Sequence, residues 1–190
     1  MKGVFLFLAE GFEEIEALAT VDILRRGGVD VKTVSINHYR TVRGAHGIPV
    51  VADWERDEFD GCVILGSSPE DVMIFPGGLP GASNLAEDEY LMALAMKHFS
   101  EGGTVAAICA APGLVVSQLP DLEGKKFTCY DGFEEALMAE GAEYTGEPAV
   151  TDGNLITGRG PGCAIRFALE ILKKIKGEEV AEQVEAGLLV

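Results

Sequence analysis

The chain has 190 residues, 47% of them hydrophobic and 24% charged, which suits one soluble domain over residues 1–190 with a sizeable core. With 31 acidic against 15 basic residues the net charge is −16, which excludes the basic footprint that nucleic acid or an anionic membrane surface requires. No apolar run approaches the ~20 residues of a membrane span, and the opening run is too short for a signal peptide, so a cytoplasmic protein with no membrane or nucleic-acid partner is expected.

Residues 4–8 are all apolar and predict a strand covered on both faces. Residues 13–26 predict a helix, with Ile15, Leu18, Val21 and Leu24 as its apolar stripe and Gly27-Gly28 as its stop. A second strand is expected over 31–36, and a hairpin or excursion over 43–53, where glycines stand at 44 and 47. Residues 72–75 predict a third strand, ending in Pro76-Gly77-Gly78. The next helix is expected over 87–99, one face marked by Met92, Ala95, Met96 and Phe99, and Gly102-Gly103 ends it. The strand 104–108 then leads to Cys109, and 127–132 reads as another strand end facing the same crevice. Asp152-Gly153-Asn154 predicts a hairpin turn within 149–157. Ala164, Phe167, Ala168, Ile171, Leu172 and Ile175 stripe a helix over 164–175, and a short helix over 178–186 follows. Strand–helix units in this order predict an α/β fold, a mostly parallel sheet with helices on both faces. Ligands bind such sheets beyond the carboxyl ends of the strands. Chemistry is therefore expected in the loops after Leu8, Phe75 and Ile108.

Cys109 is the leading candidate there. It follows an apolar strand, and Ala107 and Ala111 occupy the positions that glycines hold in the nucleophile elbow of hydrolases. A thiol at a helix start also meets free N–H groups and the positive end of the dipole, which favour thiolate. Glu16 is its expected partner. Its helical neighbours Ala19, Thr20 and Ile23 set it on a largely apolar side, where a carboxyl is pushed up and stays protonated near neutrality. Such a carboxyl donates a hydrogen bond to a thiolate and serves as general acid or base. Glu13 and Glu14 read instead as solvated residues favoured by the helix dipole. The loop through Gly77 and Gly78 reads as an oxyanion site, because glycines let N–H groups approach a developing charge, with Gly78 and Ala110 as the donor pair. Of the histidines, His98 reads as a dipole partner in the last turn of its helix and His38 as a surface residue. His46, flanked by Ala45 and Gly47, reads as a contact to the site or to a partner subunit. Cys62, Cys109, Cys129 and Cys163 show no Cys-x-x-Cys pair and no Cys/His ligand spacing, so neither a structural metal nor a disulfide is expected.

Five segments together resemble the ThiJ/PfpI (DJ-one-like) superfamily, closest to its ThiJ/DJ-one branch. They are Gly11-Phe12-Glu13-Glu14-Ile15-Glu16, Pro76-Gly77-Gly78, Ala107-Ile108-Cys109-Ala110-Ala111-Pro112, Leu155-Ile156-Thr157-Gly158-Arg159-Gly160-Pro161-Gly162 and Gly177-Glu178-Glu179-Val180-Ala181. The resemblance implies a flavodoxin-like three-layer sandwich and a homodimer with contacts at Pro161-Gly162 and around 43–53. It carries Cys109 over as the reactive thiol, Glu16 as the protonated carboxyl, and Gly78 with Ala110 as the anion-binding pair. It implies a cysteine-dependent, glutathione-independent glyoxalase or deglycase acting on methylglyoxal-like α-oxoaldehydes or their adducts, without metal or organic cofactor. The alternative it implies is an oxidative-stress sensor or chaperone using oxidation of an exposed, low-pKa Cys109. Two departures stand out. Tyr130 followed by Asp131 stands where many relatives place a histidine near the thiol, and His46 stands where close relatives offer an arginine from the partner subunit. A Cys–His–acid triad and peptidase activity are therefore not expected, and Tyr130, Asp131 and His46 are accessory candidates.

Overall fold

The computed structural model describes residues 1–63 and 66–190. Its strands are β1 (Val4–Leu8), β2 (Val31–Ser35), β3 (Thr41–Arg43), β4 (Pro49–Val51), β5 (Val72–Phe75), β6 (Thr104–Ile108), β7 (Lys126–Phe127), β8 (Glu143–Tyr144), β9 (Ala149–Asp152) and β10 (Leu155–Gly158). Its helices are α1 (Glu14–Arg26), α2 (Arg56–Cys62), α3 (Gly81–Glu87), α4 (Glu89–Ser100), α5 (Ala111–Leu114), α6 (Glu135–Ala139), α7 (Ala164–Lys176) and α8 (Glu178–Leu188). Six strands form the central sheet in the order β2-β1-β5-β6-β10-β9. All neighbours are parallel except β9, which returns antiparallel to β10 through the turn at Gly153. β3 and β4 make the expected hairpin outside this sheet, and among the described residues β7 pairs with β8.

Strand alternation splits the interior into two cores. Phe5 and Phe7 of β1, Met73 and Phe75 of β5, and Val105 and Ala107 of β6 face one side, against Leu85, Met92, Ala95 and Phe99. Val4, Leu6 and Leu8, then Val72 and Ile74, then Ala106 and Ile108 face the other, against α1 and α7. That is a three-layer sandwich, and it explains why these strands carry no polar face.

The main departure is on α1, where Ile15 and Leu18 are exposed while Ala17, Thr20, Ile23 and Leu24 are buried. Steps of three residues lag about 60° per step on a helix, so Ile15 and Leu24 stand about half a turn apart rather than on one face. The helix expected over 87–99 is α4; α3 precedes it and ends before Asp88, whose side chain caps α4 by accepting the Leu91 N–H at 2.9 Å. His98 is no dipole partner. It is fully buried, with Nδ1 2.8 Å from Ser67 Oγ and Nε2 3.0 Å from the Asp71 carbonyl oxygen. Burial and the nearby N-terminal ammonium hold it below its usual pKa. Gly103 has no Cβ because the imidazole fills that space, 2.1 Å from where the atom would stand.

Candidate active site

β1, β5 and β6 lie side by side at the middle of the sheet, so the three loops at their carboxyl ends meet. Cys109 leaves β6 with φ 66°. A left-handed backbone at a non-glycine residue costs on the order of 1–3 kcal/mol and marks an over-determined position. Two hydrogen bonds hold it: the Cys109 N–H donates to the Gly158 carbonyl oxygen at 2.9 Å, and its own carbonyl accepts from the Tyr130 N–H at 2.9 Å. Ala107 and Ala111 are fully buried around the turn, where a larger side chain would not fit.

Glu16 is fully buried on α1. Its Oε2 accepts the Gly77 N–H at 2.8 Å, while Oε1 has no hydrogen-bond partner among the described residues. A Cβ on Gly77 would stand 2.5 Å from Cys109 Cβ, 2.8 Å from Glu16 Oε2 and 3.0 Å from Cys109 Sγ. Acid and thiol therefore flank one small space, kept open because residue 77 has no side chain. Burial pushes the Glu16 carboxyl up to about 7; the Gly77 N–H and the thiol pull it down, and the charge of Glu13 adds to the rise.

The sulfur is less accessible than an exposed sensor thiol would be: Cys109 is 9% exposed. Burial, then the charge of Glu16 and its hydrogen bond, push the thiol up to about 12, against the pull of the Gly78 and Ala110 N–H groups. The low-pKa thiolate expected beside a protonated Glu16 is thus corrected to a buried thiol that shares a proton with the carboxyl, and the thiolate forms when the carboxyl holds that proton. The three candidate anion donors divide. Gly78 and Ala110 direct their N–H groups at the sulfur, whereas the Gly77 N–H is committed to Glu16.

The neighbouring carboxylates also depart from expectation. Glu13 and Glu14 are 6% and 5% exposed, not solvated. Glu13 caps α1 by accepting the Glu16 N–H at 2.8 Å. Glu14 Oε1 accepts the His46 N–H at 2.8 Å, and its Oε2 lies 2.8 Å from His46 Nδ1. Burial pushes Glu14 up, but those bonds outweigh it and hold the carboxyl below its usual range. The same pairing raises His46, which reaches Glu14 rather than the thiol. Tyr130, half exposed, and Asp131 line a cavity of about 250 Å³ with Arg159 and residues 160–163. Arg159, for which the sequence offers no role, grips Asp131 Oδ1 with its Nη2 at 2.9 Å. Cys129 is fully buried, and burial pushes it up to about 12.

The DJ-1/PfpI family pattern matches residues 2–174. DJ-1 homolog A from Arabidopsis thaliana is 37% identical over the whole of this chain, which spans only 47% of that relative's length. The glutathione-independent glyoxalase DJR-1.2 of Caenorhabditis elegans is 32% identical over 94% of this chain and 90% of its own. Among solved structures, Drosophila melanogaster DJ-1beta superposes with a TM-score of 0.88 at 34% identity, covering 100% of this chain and 98% of that one. No helix among the described residues is long and apolar enough to cross a membrane.

Proposed function

The chain belongs to the DJ-1/PfpI family, and from that premise we propose that it is a cysteine-dependent, glutathione-independent glyoxalase or deglycase acting on α-oxoaldehydes such as methylglyoxal or their adducts. The observation that carries the reading is the convergence at one elbow of the Cys109 sulfur, the buried Glu16 carboxyl and the Gly78 and Ala110 N–H groups. The named activity of the nematode relative supports the substrate class.

In this mechanism the sulfur bonds to the aldehyde carbon as its proton passes to Glu16. The former carbonyl oxygen takes the charge, held by Gly78 and Ala110, and then takes the Glu16 proton to give a hemithioacetal. Glu16, now a carboxylate, removes the hydrogen from that carbon and returns it to the adjacent carbonyl carbon, while the hydroxyl proton of the hemithioacetal passes to the adjacent oxygen. The isomerised product is a hydroxyacyl thioester on Cys109. Water cleaves it, releasing the hydroxyacid and restoring the thiol. No electrons leave or enter overall, and the buried position of Glu16 keeps its proton from exchanging freely with solvent.

The test is lactate formed from methylglyoxal without glutathione by wild type, Cys109→Ser and Glu16→Ala. Loss of at least about 100-fold in both variants is expected for a nucleophile and a proton-transfer group. Equal rates in all three would sink the proposal. A second reading, peroxide sensing, rests on the same proton: a sulfinate on Cys109 accepts a hydrogen bond from protonated Glu16. Mass spectrometry after mild peroxide is expected to find the oxygen on Cys109; oxidation spread evenly over all four cysteines refutes it. A homodimer fits the exposed apolar residues Ile15, Leu18, Ile48 and Val51 of α1 and the β3–β4 hairpin.

A further inference from the structure

β10 carries a threonine that the reaction above does not use. Thr157 is fully buried, in a strand otherwise made of Leu155, Ile156 and Gly158. A hydroxyl kept in such a place needs a hydrogen-bond partner. It has one in the segment that follows β7: Thr157 Oγ1 accepts the Thr128 N–H at 2.9 Å, and Thr128 is fully buried as well. Resting on the Cys109 chemistry put forward above, we propose that Thr157 is a positioning residue, which fastens the segment 126–131 to β10 so that the Tyr130 N–H clamps the left-handed turn at Cys109.

The main sheet offers that segment no edge to join at this point. β10 is paired on both sides, Thr157 standing between Ala107 of β6 and Val150 of β9. What lies over its face is therefore held by side chains. Alternate groups of an extended segment point the same way, and the N–H groups of Lys126, Thr128 and Tyr130 each find an acceptor on or just beyond the main sheet. These are Asp152 Oδ2, Thr157 Oγ1 and the Cys109 carbonyl oxygen, all at 2.9 Å. The first bond is exposed to water and the middle one is buried, so losing the middle acceptor leaves a donor with no solvent to turn to. Arg159 fastens the far end, its Nη2 donating to Asp131 Oδ1 at 2.9 Å and its Nη1 to the Gly146 carbonyl oxygen at 3.2 Å. That end is exposed, where an ion pair contributes less.

The two anchors of Cys109 are the neighbours of this fastening. With φ 66°, Cys109 is held by the Gly158 carbonyl, one residue beyond Thr157, and by the Tyr130 N–H, two residues beyond Thr128. A strained backbone persists only while its surroundings over-determine it. Without the Thr157 oxygen the segment shifts to satisfy the Thr128 N–H, and the Tyr130 bond is lost with that shift. The turn then relaxes, and the sulfur leaves Glu16 and the Gly78 and Ala110 N–H groups.

The experiment compares Thr157→Val, which keeps the shape and removes the acceptor, with Thr157→Ser, which keeps the acceptor. In Thr157→Val, kcat for methylglyoxal is expected to fall about 10-fold with KM within about 2-fold of wild type, and Thr157→Ser is expected to restore most of kcat. Alkylation of Cys109 by iodoacetamide, followed by mass spectrometry, reads the sulfur directly. Its rate is expected to rise through pH about 7 in wild type, and the midpoint to move towards the free-thiol value of about 8.5 in Thr157→Val. Asp131→Asn, at an exposed position, loosens the same segment without threatening the fold and is expected to lower kcat about 3-fold. A Thr157→Val chain that loses thermal stability but keeps the wild-type kcat and alkylation midpoint overturns the proposal, and so does a Thr157→Ser chain as impaired as Thr157→Val. Should Thr157→Val fail to fold, a wild-type kcat and midpoint in Asp131→Asn overturn it instead. The alkylation arm needs no turnover, so a wild type inert towards methylglyoxal refutes the proposed activity and leaves the fastening to be decided by the midpoints.

Discussion

Glu16 sits where its charge is disfavoured, and stability should record it. Its ordinary pKa is 4.5 and burial takes it to about 7 in the folded chain. Between those values the unfolded chain releases the proton while the folded chain keeps it, so this group's contribution falls as pH rises through the window. Above it the folded state is about 3 kcal/mol worse off than with a neutral group. Urea unfolding at pH 5 and pH 8.5 is expected to show wild type losing stability relative to Glu16→Gln; parallel curves contradict the assignment. Activity should run the other way. The pair must lose one proton before sulfur attacks, so kcat/KM for methylglyoxal is expected to rise through pH about 7, with that rise absent in Glu16→Gln. The burial of Glu16 was legible from its neighbours three, four and seven residues on. That of Glu13 and Glu14 was not, because Gly44 and His46 cover them from a hairpin some 30 residues away. His98 was misread for the same reason: Ser67, Asp71 and Thr104 surround it from other elements.

At the scale of elements, the strands were the easiest to read, since a parallel strand buried on both faces is apolar throughout. The helix α1 was located but its facing was not, because a ladder of three-residue steps drifts around the axis. The loop after β5 is the element on which the site turns. Gly78 has φ 86°, and a Cβ there would meet the Glu13 backbone nitrogen at 2.5 Å, so alanine strains the backbone and displaces the helix start. Gly77→Ala is the more telling change. Its methyl would enter the space between thiol and acid, with an overpacking cost of about 1–3 kcal/mol. Activity is expected to fall far more than thermal stability does, and a fall in stability alone would show that the loop does not set the spacing of the pair.

For the whole molecule, alternating strand and helix units made the sandwich legible, but not which strands are neighbours. That β9 reverses and that β7 joins β8 instead of the main sheet depend on packing between distant segments. The exposed apolar residues of α1 and the hairpin lead to a prediction at this scale. Light scattering is expected to give twice the chain mass for wild type and the single mass for Leu18→Asp, whose charge would be buried without a partner. A wild-type monomer at micromolar concentration contradicts it.

The central trio of strands β1, β5 and β6 has one more consequence. They stand far apart in the chain, at Val4–Leu8, Val72–Phe75 and Thr104–Ile108, and parallel neighbours close only through long, entropically slow crossovers. Until all three have docked, the sulfur has neither its acid nor its amide donors. A chain diluted out of denaturant should therefore regain far-ultraviolet helix signal well before it regains turnover, and no fragment lacking any one of the three should show enhanced thiol chemistry.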